Sequence, residues 1–213
     1  MSANRLGSWS ALAVSLLGVA YLVTLTIAVA VHGISNPIVD PTLAVMEVLT
    51  LISAPLMVIV ISAIHAYASA DRKIYGVIAL AFITVFAAMT SAVHFVELTA
   101  VRQRGSSGMV WPSTGYAVEL LAWNLFLGLA LIFAAPVFDG SGPEHGVRRG
   151  LLTSGALCVA GIVGPAVGNM RLQLVGVFGY AVVLPVVSFM LARLFRSGCT
   201  IVRTSPPDAG ERR

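Results

Sequence analysis

Apolar residues run in six long stretches along this chain, at 8–32, 42–69, 74–100, 115–138, 150–169 and 172–196. Each is long enough to cross a ~30 Å hydrocarbon core, which takes about 20 residues of helix. None alternates apolar and polar residues at period two, as the strands of a barrel would. The pattern predicts an all-α polytopic membrane protein: a six-transmembrane-helix bundle that takes up residues 1–198 as one domain. The tail 199–213, rich in proline, serine and charge, is expected to be disordered.

Composition narrows the class. The chain is 58% hydrophobic and only 10% charged, whereas a soluble domain carries about 25% charged residues. The few cations are unevenly placed. With the N-terminus inside, the inner segments hold Arg5, Arg72, Lys73, Arg148 and Arg149, and the C-terminal end adds Arg193, Arg196, Arg203, Arg212 and Arg213. The outer side holds Arg102, Arg104 and Arg171. Positive charge marks the cytoplasmic side, so both termini are expected there, with the cell's inner (plasma) membrane as the location. The net charge of +4 is then topological and calls for no nucleic-acid partner. Ala28-Val29-Ala30 imitates a signal cleavage site, but the apolar run before it exceeds the usual ~7–15 residues, which favours a retained helix. Cys158 and Cys199 fall where they cannot meet, so no disulfide framework is expected.

The polar residues inside the apolar stretches carry the functional clue. Glu47, His94, Glu97 and Glu119 fall in one leaflet when the chain is threaded through a bilayer. An ionisable group in hydrocarbon costs about 2.5–3.5 kcal/mol on insertion scales, so four at one depth suggest a shared polar pocket. Asp40-Pro41-Thr42 reads as a helix start, which puts Glu47 roughly 7–9 Å in. Pro55 follows and frees a backbone carbonyl at Leu51. Thr90, His94 and Glu97 share a stripe at i, i+4 and i+7; Tyr116, Glu119 and Trp123 share another at i, i+3 and i+7. Asn124 lies one position round, about 13 Å deep, where an amide needs partners. Tyr21 sits near mid-membrane in the first stretch. Arg171 lies in the leaflet of the acids and is a candidate ion-pair partner for one of them. Other readings stand beside these: Glu97 snorkelling to Arg102 or Arg104, Asn124 clamping two helices, and the run Ala156, Ala160, Gly164, Gly168, with Gly161 and Pro165 one position round, as a close-packing face.

Several chemistries lack their parts. There is no phosphate loop, Cys-x-x-Cys, Gly-x-Ser-x-Gly or His-Glu-x-x-His. His65 and His94 fall toward opposite leaflets, which disfavours bis-histidine haem, and no spacing supports a metal; no cofactor is expected. Acid–base chemistry fits better, since a carboxyl in an apolar pocket can stay protonated near neutral pH and act as an acid. Glu47 and Glu119 are the expected acid or base, with His94 as proton partner. Tyr21, Tyr116 and Trp123 would offer aromatic faces to a developing cation, and Glu97, Asn124 and Arg171 complete the candidate substrate-binding set. The expected activity is an isomerase or cyclase acting on an apolar terpenoid or lipid-like substrate that arrives from the bilayer.

The stretch Ala122-Trp123-Asn124-Leu125-Phe126-Leu127-Gly128-Leu129 through Phe133-Ala134-Ala135-Pro136-Val137-Phe138 resembles a helix of uncharacterised bacterial multi-pass proteins, in which Ala-Trp-Asp is expected. Asn124 would replace that acid, which puts in doubt any role needing charge there. The glycine-rich fifth stretch and Gly179-Tyr180 extend the likeness over the C-terminal half, and it implies no activity. A looser similarity is to small transmembrane terpene cyclases of meroterpenoid pathways. These use membrane-embedded carboxylates and an Ala-Trp-acid helix but usually have seven helices against the six here. Two further readings use the same residues: a proton-coupled small-molecule transporter, and a non-catalytic lipid-binding subunit of a homo-oligomer or larger membrane complex. No internal repeat favours the transporter.

Overall fold

The computed structural model describes residues 2–33, 36–105 and 109–204. It is all-α among these residues. Six helices are long and apolar enough to cross a membrane: Ala3–His32, Thr42–Tyr67, Ala70–Val101, Thr114–Val137, Pro143–Ala166 and Met170–Ser197. The chain is a multi-pass membrane protein, and the helices are called here the first to sixth spans.

The spans form a closed ring. Each packs against its neighbours in sequence, and the first returns to the sixth. Ser8 Oγ donates to the Ala192 carbonyl at 2.9 Å, which brings both termini to one end. The outward faces are apolar: Leu16, Val19, Val23 and Ile27 stripe the exposed side of the first span at helical spacing. Such a surface suits lipid, where no hydrophobic force drives helices together and association rests on close packing. Small residues supply that packing. A methyl built on Gly155 would lie 2.7 Å from the Gly128 carbonyl, and one on Gly161 would lie 2.7 Å from Gly176 Cα. The fourth, fifth and sixth spans therefore touch backbone to backbone.

That contact corrects the register read from the sequence. Ala156, Ala160 and Gly168 are exposed, whereas Gly161 and Gly164 of the expected face are buried, in line with Ser154, Gly155 and Cys158. The fifth span also begins at Pro143, seven residues before the expected start at 150. Proline at the first helical position and Glu144 in the first turn start the helix while it is still too polar to read as membrane. Gly33, at φ 83°, ends the first span by donating its N–H to the Val29 carbonyl at 2.8 Å. The final helix runs on to Thr204, so 199–204 of the expected disordered tail is helical. The remainder of that tail lies outside the described residues.

The interior is divided by depth. Toward the termini it is apolar, filled by Ile64, Ile83, Phe138, Leu151, Leu191 and Phe195. Toward the other end it is polar.

Candidate functional site

The buried carboxyls, the buried imidazole and the two buried amides among the described residues all belong to the half away from the termini. Counting the helix rise from the span ends puts Glu47, His94 and Glu119 about 8–10 Å deep.

Glu119 is the centre. Ser113 caps the fourth span, its Oγ accepting the Tyr116 N–H at 3.2 Å, and Glu119 follows within two turns. Thr90 and His94, one turn apart on the third span, face it. The Thr90 hydroxyl donates to Glu119 Oε1 at 2.5 Å, and His94 Nε2 lies 2.8 Å from the same oxygen. The Trp123 indole N–H also donates to it, and reaches Thr90 Oγ1 at 3.1 Å. An indole nitrogen can only donate. Thr90, accepting from Trp123, keeps its own proton for Glu119. With those two donors in place, Oε1 acts as an acceptor and His94 Nε2 completes the set by donating. Three donors on one oxygen suit a carboxylate. The other faces of the pair are bare: Glu119 Oε2 and His94 Nδ1 are buried with no hydrogen-bond partner.

Aromatic rings wall this couple. Phe86, fully buried, meets Trp123 edge to face at 5.0 Å, and Tyr180 lies 4.7 Å from Trp123 between centroids. Tyr21 and Tyr116 lie within electrostatic reach of Glu119, and Tyr180 within reach of both tyrosines. A crevice of about 420 Å³, counting its open mouth, runs between the first, second, fourth and sixth spans. Its polar lining is Tyr21, Thr50, Ser53, Trp123 and Tyr180. Glu119 is behind that wall: Trp123 shows its ring to the crevice and its N–H to the carboxylate.

Glu47 occupies a second station. It is 2% exposed, and its Oε2 lies 3.7 Å from Arg102 Nη2. Arg102 grips Asp40 with two hydrogen bonds, at 3.0 and 2.7 Å, and these raise its already high pKa. Asp40 Oδ1 also accepts the Ala44 N–H at 3.2 Å, although the cap position of the second span is Pro41 and not the expected Asp40. Glu47 feels His94 and Glu97 through space. Glu97 is buried beside it, at the start of a widened turn.

The structure does not gather every candidate. Arg171 is exposed and, among the described residues, makes no ion pair with a glutamate; its N–H serves the Asn169 cap at 3.1 Å instead. Asn124 turns away from the crevice. Its Oδ1 lies against Gly161 and Gly176, where glycine leaves room for it. Pro55 faces outward. Sequence reasoning placed Thr90 on the stripe of His94 without giving it a role; spacing of one turn was the available signal. It had no sight of Thr50 or Ser53 as crevice lining. Nor did it foresee the π-helical turns Glu97–Val101, Leu121–Leu127 and Phe178–Val183, which carry Glu97, Trp123 with Asn124, and Tyr180. Such wide turns are rare and concentrate at functional sites.

The chain matches no protein-family model, no curated protein and no solved structure.

Proposed function

We propose that this protein is an intramembrane enzyme that moves protons on an apolar, terpenoid or lipid-like substrate, as an isomerase or cyclase. The observation that carries the reading is the Glu119–His94 couple: one oxygen held by three donors, with Glu119 Oε2 and His94 Nδ1 buried and free to exchange a proton. Thr90 and Trp123 hold the carboxylate in place. Once His94 Nδ1 has taken up a proton, the Nε2 proton passes to Glu119 across 2.8 Å, and the reverse transfer restores the carboxylate. The rings of Trp123, Tyr21 and Tyr180 face the crevice and would stabilise positive charge on a protonated alkene. Trp123 separates crevice and carboxylate, so its ring must swing for substrate to meet Glu119. Glu47, beside Arg102 and Asp40, sets the field around His94 from the other side.

A proton-coupled carrier would need polar groups across the full depth. The terminal half of the interior is filled by apolar side chains, which favours chemistry at one depth over passage. The arginine distribution supports cytoplasmic termini in the plasma membrane. The test is turnover: wild-type protein in lipid nanodiscs, incubated with a total apolar lipid extract, should convert one component into an isomer resolved by chromatography and mass spectrometry. Glu119→Gln and His94→Gln should each abolish the conversion while remaining folded. Full conversion by both variants would remove the mechanism.

A further inference from the structure

A second hollow lies directly beneath the crevice. It covers about 310 Å³, counting its open side, and is walled by apolar side chains, with Ser188 the one polar exception. The two hollows share three residues, Val14, Met57 and Leu184. The upper is bordered by Thr50 and Tyr180, the lower by Ile64 and Leu191, so they are stacked along the bundle axis. Met57 stands at the neck. Methionine is unbranched and adapts its shape, so it can fill a gap or vacate it.

We infer that the two hollows form one slot for a linear amphiphile, with a hydrogen-bonding or unsaturated head beside Trp123 and a single hydrocarbon tail threaded past Met57. The inference deepens the enzymatic reading and rests on it only for which end reacts; binding stands by itself. Three features define the ligand. The upper hollow offers the rings and hydroxyls of Tyr21 and Tyr180, and the oxygen lone pairs of Thr50 and Ser53, whose protons go to the Met46 and Leu49 carbonyls. The lower offers almost none, so nothing polar is welcome on the tail. Both are narrow clefts between packed helices, which admit a chain and reject fused rings. The slot has a length as well. Tyr180 and Leu191 are eleven residues apart on the sixth span, about 16 Å by helix rise. A C–C bond of ~1.5 Å advances about 1.3 Å along an extended chain, so the slot takes roughly 12–14 carbons. Saturated and isoprenoid chains share this chemistry.

The experiment is native mass spectrometry of the purified full chain in detergent, titrated with 1-octanol through 1-octadecanol, farnesol and cholesterol. A micelle is as apolar as the slot, so transfer alone creates no preference for length; only fit does. Binding should peak at dodecanol to tetradecanol and fall beyond, with cholesterol excluded. Preference for farnesol over dodecanol identifies an isoprenoid tail, and the reverse an acyl-like one; either supports the slot. Met57→Phe should weaken dodecanol binding at least tenfold, and Met57→Ala should move the optimum to longer chains. Affinity that climbs smoothly to octadecanol, or an optimum unmoved by Met57→Ala, would overturn the proposal. Glu119→Gln should still bind dodecanol. A length optimum without turnover would sink the enzymatic reading and keep the slot; turnover without an optimum would do the opposite.

Discussion

Replacing Glu119 by alanine removes the acceptor shared by Thr90, His94 and Trp123. Thr90 has an alternative: like Thr24 and Thr84, it can turn its hydroxyl to the carbonyl four residues back. His94 Nε2 has none, whereas the Trp123 N–H keeps Thr90 Oγ1 at 3.1 Å. One buried donor left without an acceptor costs about 1–3 kcal/mol. Helices unfolded in lipid or detergent find other partners, which pulls the value to the lower end. Glu119→Gln retains an oxygen where Oε1 stands and differs mainly in charge. Neutral hydrogen bonds are about half as strong as charge-assisted ones, so its loss should be about 1 kcal/mol. The measurement is reversible unfolding in mixed micelles, titrated with SDS and followed by circular dichroism. The expected order is wild type, then Gln close behind, then Ala lowest, about 1–3 kcal/mol below wild type. Alanine as stable as wild type would mean the three bonds hold nothing together. Gln as damaged as Ala would mean that charge, rather than acceptor geometry, holds the site.

Three other substitutions probe the surroundings. Gly176→Ala would drive a methyl into Asn124 Oδ1 and bring it within 3.2 Å of Gly161 Cα; overpacking of this kind should lower stability by about 1–3 kcal/mol in the same titration. Phe86→Ala empties a fully buried position against Trp123 and should cost about 3–5 kcal/mol, with a shift in tryptophan emission as the indole loosens. Arg102→Gln removes the cation between Asp40 and buried Glu47. Because Arg102 is about one-third exposed, the loss should stay below about 1 kcal/mol, and adding Glu47→Gln should recover part of it in a double-mutant cycle; strict additivity would show that the two do not interact.

What could be read from the sequence follows the physics of each feature. Six spans were legible because lipid imposes length and apolarity on every crossing. The meeting of His94, Glu119 and Trp123 was half legible: helical spacing gave the stripes, and cost in hydrocarbon singled out the carboxylates. Which stripes face one another depends on helix rotation, and π-helical turns at Leu121–Leu127 and Phe178–Val183 alter rotation without a compositional trace. Arg171 shows the limit of depth as a guide. It shares a leaflet with the acids but stands at the second residue of its span, about 1.5 Å in by helix rise, and is exposed. The small-residue stripe erred in part: Ala156 and Gly155 both read as small, and only the partner backbone at Gly128, which leaves no room for a methyl at 155, decides which is used. The Pro143 start was hidden because charged residues in the first turns masked a helix that had already begun.

The central claim is that Glu119 and His94 pass a proton between solvent and a substrate carbon. Solvent isotope reports this directly. Wild-type protein in nanodiscs, incubated in deuterium oxide with the apolar lipid extract, should place deuterium on carbon in one component, read as a mass increase that survives back-exchange into ordinary water. Glu119→Gln should leave that component unlabelled. No enzyme-dependent label with the wild type, or equal labelling with Glu119→Gln, would contradict the account.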